Sequence, residues 1–496
     1  MKFSYLIRPT NVCLITMATI GIGLVATSLA QASDIRGNAI EVPGTASLNA
    51  AGSGFVNGIS CKSSGNCSAI GSYTDASQNA QGFVVNETKG KWGNAIEVPG
   101  SKGLSAHGGL DPLTISCGST ANCSAGGLYY DNSSSKQAFV VNETNSKWGN
   151  AIEVPGSNAL NVGGNASLDL LSCKASGSCG AIGSYNDGSI EQAFVVNESN
   201  GKWSKATAML APSDFDTQLG LSFTSLSCGS PGNCSAGGNY SSYSDIDQES
   251  TNQAFVVAEV NGVWGNAIEV PDVASLTALG SSYLNSISCG SAGNCSAGGV
   301  YYVDYSGQAP FGSDHQQAFV VSETNNVWGN AINVPGLDSI NVGGYASVSS
   351  VACASPGNCT AVGSYAMTTN DAAFAVSEIN SVWGDAAEIP GTTPLNPPSG
   401  APAVLVSCSS TGTCSAGGDI GHFETNQAFV ANESNGAWSN AFVIPGTSAL
   451  NRGDNATVSA ISCSSAGTCS AGGSYLDRSS NSQAFVVNIS APTSSK

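Results

Sequence analysis

The sequence predicts an all-β fold: an eight-bladed β-propeller of four-stranded antiparallel blades, its ring closed by the N-terminal strand. Three observations predict it. Eight cysteine pairs share one spacing, with five residues inside each pair. Each pair sits in a strand-rich unit of about 55 residues, a size that suits one propeller blade. The fragment RGNAIEVPG at Arg36–Gly44 stands ahead of every complete unit, while the last unit lacks that segment.

The 496 residues include 61 glycines, only 10% are charged, and helix formers are sparse, which favours short strands joined by turns. Apolar residues make up 41% and recur in a fixed pattern, so a packed core is within reach.

The elements follow in chain order. Lys2 and Arg8 precede an apolar run, Leu14–Ala30, and Ala30-Gln31-Ala32 fits a small-x-small cleavage site. Cleavage is expected after Ala32, against the alternative of an uncleaved anchor near the lower length limit for spanning a bilayer. The expected parts are a leader at 1–32, a ring at 33–489 and a short tail at 490–496. No later segment has the length and apolarity of a membrane span. The expected location is secreted, periplasmic or cell-surface, and the composition specifies no oligomeric state.

The second unit shows the repeat. It reads LTISC, GSTAN, CSAGGLYY, a polar loop, QAFVVNE, TNSK and WGNAIEVPG. The first strand ends at the first Cys, the second begins at the second Cys, QAFVVNE is the third, and the fourth starts at Trp. Phe139-Val140-Val141 is apolar on both faces, so the third strand should be covered on both sides. The Trp position precedes the next first Cys by 25 residues throughout, and the Gln position precedes Trp by 11. Only the loop between strands two and three varies, reaching 15 residues from Gly238 to Gln253 and 18 from Gly299 to Gln317. Counting 11 from Gln483 reaches Ser494, so the eighth unit has no fourth strand. Arg36 lies 25 residues before Cys61, so Arg36–Gly44 is the missing strand and Arg36 takes the Trp slot. Closure also removes the free sheet edges that invite aggregation.

The pairs Cys61–Cys67, Cys117–Cys123, Cys173–Cys179, Cys228–Cys234, Cys289–Cys295, Cys353–Cys359, Cys408–Cys414 and Cys463–Cys469 flank hairpin turns and read as structural disulfides in an exported chain. A metal site is the alternative, but one pair supplies two of the four ligands zinc usually takes, and there are three His. No metal set and no cofactor motif is expected. The recurrent Trp and Phe read as blade packing, and the Gln before AFVV as a residue that orders the variable loop.

In a propeller the variable loops share a face with the segments joining blades, opposite the cystine hairpins. The expected ligand residues are therefore in the two longest loops: Tyr243 and Asp245 in the fourth unit, and Tyr302, Asp304, Tyr305, Asp314 and His315 in the fifth. Tyr and Asp on exposed loops suit glycan stacking and hydroxyl recognition, or a protein hot spot. Tolerated drift in a surface loop is the competing explanation. Arg452-Gly453-Asp454 forms RGD in an interblade segment, two substitutions from the third unit's Val162-Gly163-Gly164.

The formal charge of −19 disfavours nucleic acid as a partner. No nucleophile elbow, HExxH or P-loop occurs, and the three His fall in loops of different units. The expected function is a non-enzymatic binding scaffold for a glycan or extracellular protein. A carbohydrate-active enzyme with carboxylates across the central opening and a purely structural envelope protein are the alternatives.

The units SC-x5-CSAGG, QAFVVNE and WGNAIEVPG together resemble repeats of secreted bacterial propeller-like proteins. That resemblance covers nearly all of the mature chain and implies a fold, not an activity. The turn before Val327-Trp328 is loosely similar to the tryptophan-docking turn of quinoprotein dehydrogenases, but their vicinal Cys-Cys does not occur. Sialidase propellers use an arginine triad and Asp-box turns. After the leader this chain has only Arg36, Arg452 and Arg478, and no Asp-box.

Overall fold

A computed structural model describes residues 37–490 apart from 106–108, 210–220, 244–249, 278–279, 304–314, 369, 396–401 and 422–424. The expected leader, Arg36 and the last six residues of the tail lie outside the described residues. Blades are numbered 1 to 8 here by their Cys pairs, in chain order.

Blade 2 shows the plan. Its inner strand is Leu110–Ser119, followed by Asn122–Tyr130 and Lys136–Thr144. The three form an antiparallel sheet in sequence order. The outer strand is split, into Lys147–Trp148 and Ile152–Glu153, both paired with the third strand. The sequence predicts one continuous strand from Trp. It breaks because the Ala151 N–H leaves its own sheet and donates to the Pro99 carbonyl of blade 1 at 2.7 Å. The turn before Trp148 carries Asn145 and Ser146 at φ 51° and 63°, the left-handed pair a tight two-residue hairpin requires.

Eight sheets repeat this plan. In blade 8 the outer strand is Ile40–Glu41, with Ile40 opposite Val486 and Glu41 opposite Phe485. Ala39 N–H donates to the Pro445 carbonyl of blade 7 at 2.7 Å, repeating the Ala151–Pro99 contact. The N-terminal strand therefore completes the last blade and joins it to its neighbour.

The core lies in the seams between blades. Third-strand residues alternate between two seams. Phe139 and Val141 enter the cluster shared with blade 1, while Ala138 and Val140 enter the one shared with blade 3. This explains why QAFVV is apolar on both faces. One seam unites Val42, Ala484 and Val486 of blade 8 with Val56, Phe83 and Trp92 of blade 1, so the ring is closed. The second Gly of AGG has a packing cause. A Cβ on Gly71 would lie 2.2 Å from the Phe55 carbonyl oxygen and 2.3 Å from the Phe83 ring.

All eight disulfides form, with Cα–Cα separations of 3.8 to 4.1 Å. The cystine hairpins share one end of the blades with the third-to-outer turns, as in the Gly201 N–H to Gly177 carbonyl bond of 3.0 Å. The second-to-third loops share the other end with the interblade segments, as in Gly163 N–H to Asn186 carbonyl at 2.9 Å.

Candidate binding face

Most recurrent residues are consumed by the seams. In seven blades the Ser before the first Cys accepts a hydrogen bond from the Cys N–H of the next blade, as Ser60 from Cys117, Ser116 from Cys173 and Ser462 from Cys61, while blade 6 carries Ala352 there. The Glu of NET is buried in seven blades, Glu87, Glu143, Glu198, Glu259, Glu323, Glu378 and Glu433. Among the described residues, all but Glu433 accept side-chain hydrogen bonds from the preceding blade. Glu143 accepts from Ser68 Oγ at 2.8 Å and from Asn86 Nδ2 at 2.5 Å, while the Asn86 side-chain oxygen accepts from Trp148 Nε1 at 3.0 Å. Glu198, Asn142 and Trp203 repeat the set one seam on. Burial raises the pKa of Glu87, Glu143, Glu198, Glu259 and Glu323, with the hydrogen bonds opposing it. Burial alone pushes Glu433 up to about 7.

Cys173, Cys179 and Glu198 bring two sulfurs and a carboxylate oxygen within 4.8 Å of one another. The sulfurs are bonded to each other, so no thiolate remains to hold a metal.

The other face carries the variable loops. In blades 1, 2 and 8 the short loop is an Asp-centred turn. Asp75 Oδ1 accepts the Ser77 and Asn79 N–H groups, and Gln81 Nε2 donates to Asp75 Oδ2 at 3.2 Å. Asp131–Gln137 and Asp477–Gln483 repeat the contact. The Gln before AFVV thus orders the loop. Although burial opposes it, these donors hold the Asp75, Asp131 and Asp477 carboxyls below the usual range.

Blades 4 and 5 depart from this. Their second and third strands run on into longer hairpins, to Tyr243 opposite Ser250 and to Val303 opposite His315. The two hairpins are neighbours in the ring, and a polar aromatic group joins them. Ser241 Oγ donates to Asn252 Oδ1 at 2.8 Å, and Asn252 Nδ2 donates to the Tyr283 hydroxyl at 2.6 Å. The Tyr283 and Tyr302 rings meet edge to face, 5.9 Å between centroids. Asn252 N–H also donates to Ser281 Oγ at 3.0 Å. Tyr283 and Tyr302 are half-buried, so each keeps ring surface for a ligand.

Of the sequence-expected residues, Tyr302 is in this cluster. Tyr243 and His315 hold ladder positions at the hairpin ends. Asp245, Asp304, Tyr305 and Asp314 lie outside the described residues. Tyr240, from the same loop region, is 8% exposed and packs in the core against Phe255. Sequence reasoning missed Tyr283 and Asn252. A partial signal existed: six residues before the first Cys, six blades carry Asp111, Ser167, Ser222, Ser347, Pro402 or Thr457, while blades 1 and 5 carry aromatics, Phe55 and Tyr283. Arg452 and Asp454 are exposed on the same face, where Gly453 N–H donates to the Leu476 carbonyl.

No protein-family model matches the chain, and no curated protein matches it. Solved structures match the architecture at low similarity. A polysaccharide lyase PL25 ulvan lyase is 10% identical, with TM-score 0.43, over 82% of this chain and 94% of that one. The neuraminidase-like protein of A/flat-faced bat/Peru/033/2010 (H18N11) is 8% identical, with TM-score 0.37, over 92% and 96%. The six-bladed Aleuria aurantia lectin is 11% identical, with TM-score 0.33, over 80% and 96%. Likenesses this distant carry no inference about activity.

Proposed function

We propose that this chain is a secreted or cell-surface binding scaffold, non-enzymatic, that takes a glycan on its variable-loop face. The observation that carries the reading is the Tyr283–Tyr302 pair, bridged by Asn252 to the extended hairpin of blade 4. Aromatic faces stack on sugar rings, and the adjoining amide and hydroxyls supply hydrogen bonds for sugar hydroxyls. Tyr243, Asp245, Asp304, Tyr305, Asp314 and His315 belong to the same two hairpins or their loops and complete the proposed site. An extracellular protein is the alternative ligand of this face. Eight disulfides support an oxidising compartment. Among the described residues no helix is long and apolar enough to cross a membrane.

A glycan array with the mature protein tests the reading. Binding without product release is expected, and Tyr302→Ala and Tyr283→Ala should each weaken it about tenfold, roughly 1.4 kcal/mol. Released product, or full binding by the double variant, would contradict it.

A further inference from the structure

The seven seam glutamates are not equally held. Glu87, Glu143, Glu198 and Glu378 each accept two side-chain hydrogen bonds from the preceding blade. Among the described residues, Glu259 keeps only Asn197, and Glu323 only Ser235. Glu433 accepts none, and its Oε2 is buried with no partner among the described residues. The residues at its two donor positions are Thr360 and Ser377, and neither bonds to it. Glu433 is 1% exposed, yet it lines an open groove of about 260 Å³ between blades 6 and 7 on the cystine face. Thr360, Ser377, Glu378, Ile379 and Asn435 also line it, and no Lys or Arg does.

A buried carboxylate without a donor is costly, and a ligand that brings a charged donor relieves that cost. The groove offers the Glu433 carboxyl, hydroxyls and the apolar side chains of Ala354 and Ile379, in about the volume of a monosaccharide, while the Glu378 carboxyl is turned to Ser296 and Ser322 of blade 5. We propose that the groove between blades 6 and 7 binds a small ligand bearing a primary ammonium group, with Glu433 as its acceptor. The ammonium takes the place that Ser and Asn donors fill at the other seams. Neutral sugars lack the charge that would compensate the buried carboxylate. The site is separate from the variable-loop face and does not depend on the reading given to it.

Isothermal titration with glucosamine and N-acetylglucosamine at pH 7.5 tests this. Glucosamine should bind at least tenfold more tightly than its N-acetyl form. Binding should weaken at pH 5, where Glu433 is protonated. Glu433→Gln should abolish it. Ser377→Asn, which restores the donor found at Asn86 and Asn142, should weaken it at least tenfold and serves if Glu433→Gln misfolds. Tyr302→Ala should leave it unchanged. Equal affinity for the two sugars, unchanged binding by Ser377→Asn or folded Glu433→Gln, or its loss in Tyr302→Ala would overturn the proposal. So would a calorimetric signal produced by calcium chloride and absent with glucosamine.

Discussion

Deleting residues 33–46 from the mature chain is expected to lower the melting temperature by on the order of 10 °C and to make the protein aggregate on heating. The segment removes little mass but a whole outer strand. Val42 is fully buried in the seam between blades 8 and 1. Its loss costs about 2 kcal/mol in apolar burial alone. The bonds from Ala39 N–H to the Pro445 carbonyl and from Val42 N–H to the Ala484 carbonyl go with it, about 1 kcal/mol each. The third strand of blade 8, Ser482–Ser490, is then a free edge. The seam between blades 7 and 8 already lacks one of its latches. Ile489 stands where the other blades have glutamate, and Asn432 Nδ2 has no partner among the described residues. An unchanged melting temperature in a scan of the deletion would show that the strand is dispensable.

The second large effect is on pH. The seam glutamates with raised pKa values prefer to be protonated in the fold. Their contribution is complete below the unfolded value near 4.5 and is lost as pH rises through each folded value. For Glu433 that window runs from about 4.5 to about 7 and is worth on the order of 3 kcal/mol. The Asp turns act in the opposite sense. Asp75, Asp131 and Asp477 stabilise above an unfolded value near 3.8 and lose this as pH falls through their depressed folded values. Stability should therefore peak near pH 4.5 and fall toward pH 8. Calorimetric scans from pH 3 to pH 9 check this, and Glu433→Gln should flatten the neutral part of the slope. A melting temperature that rises from pH 5 to pH 8 would contradict the account.

The fold was legible because the repeat reports its own geometry. Constant distances from Trp to Cys and from Gln to Trp can hold only if every blade meets the same neighbours, and Arg36–Gly44 shows where the count closes. The split of the outer strand was not legible, since the Ala N–H that breaks it bonds a different blade. Nor were the seam latches. Ser60, Asn86 and Glu143 stand far apart in sequence, and each read as an ordinary polar position on a strand. The candidate site was legible only in part. Loop length pointed to blades 4 and 5 and to Tyr302, but Tyr283 and Asn252 join it through strand ends that look like background until paired.

The ring is closed by its N-terminal strand, and hydrogen–deuterium exchange tests this most directly. In the intact mature protein the peptide spanning 37–44 should exchange as slowly as its counterparts at 93–100 and 149–156, because Ala39 and Val42 N–H groups are bonded as Ala95 and Val98 are. Exchange of 37–44 within seconds, beside protected counterparts, would mean an open ring.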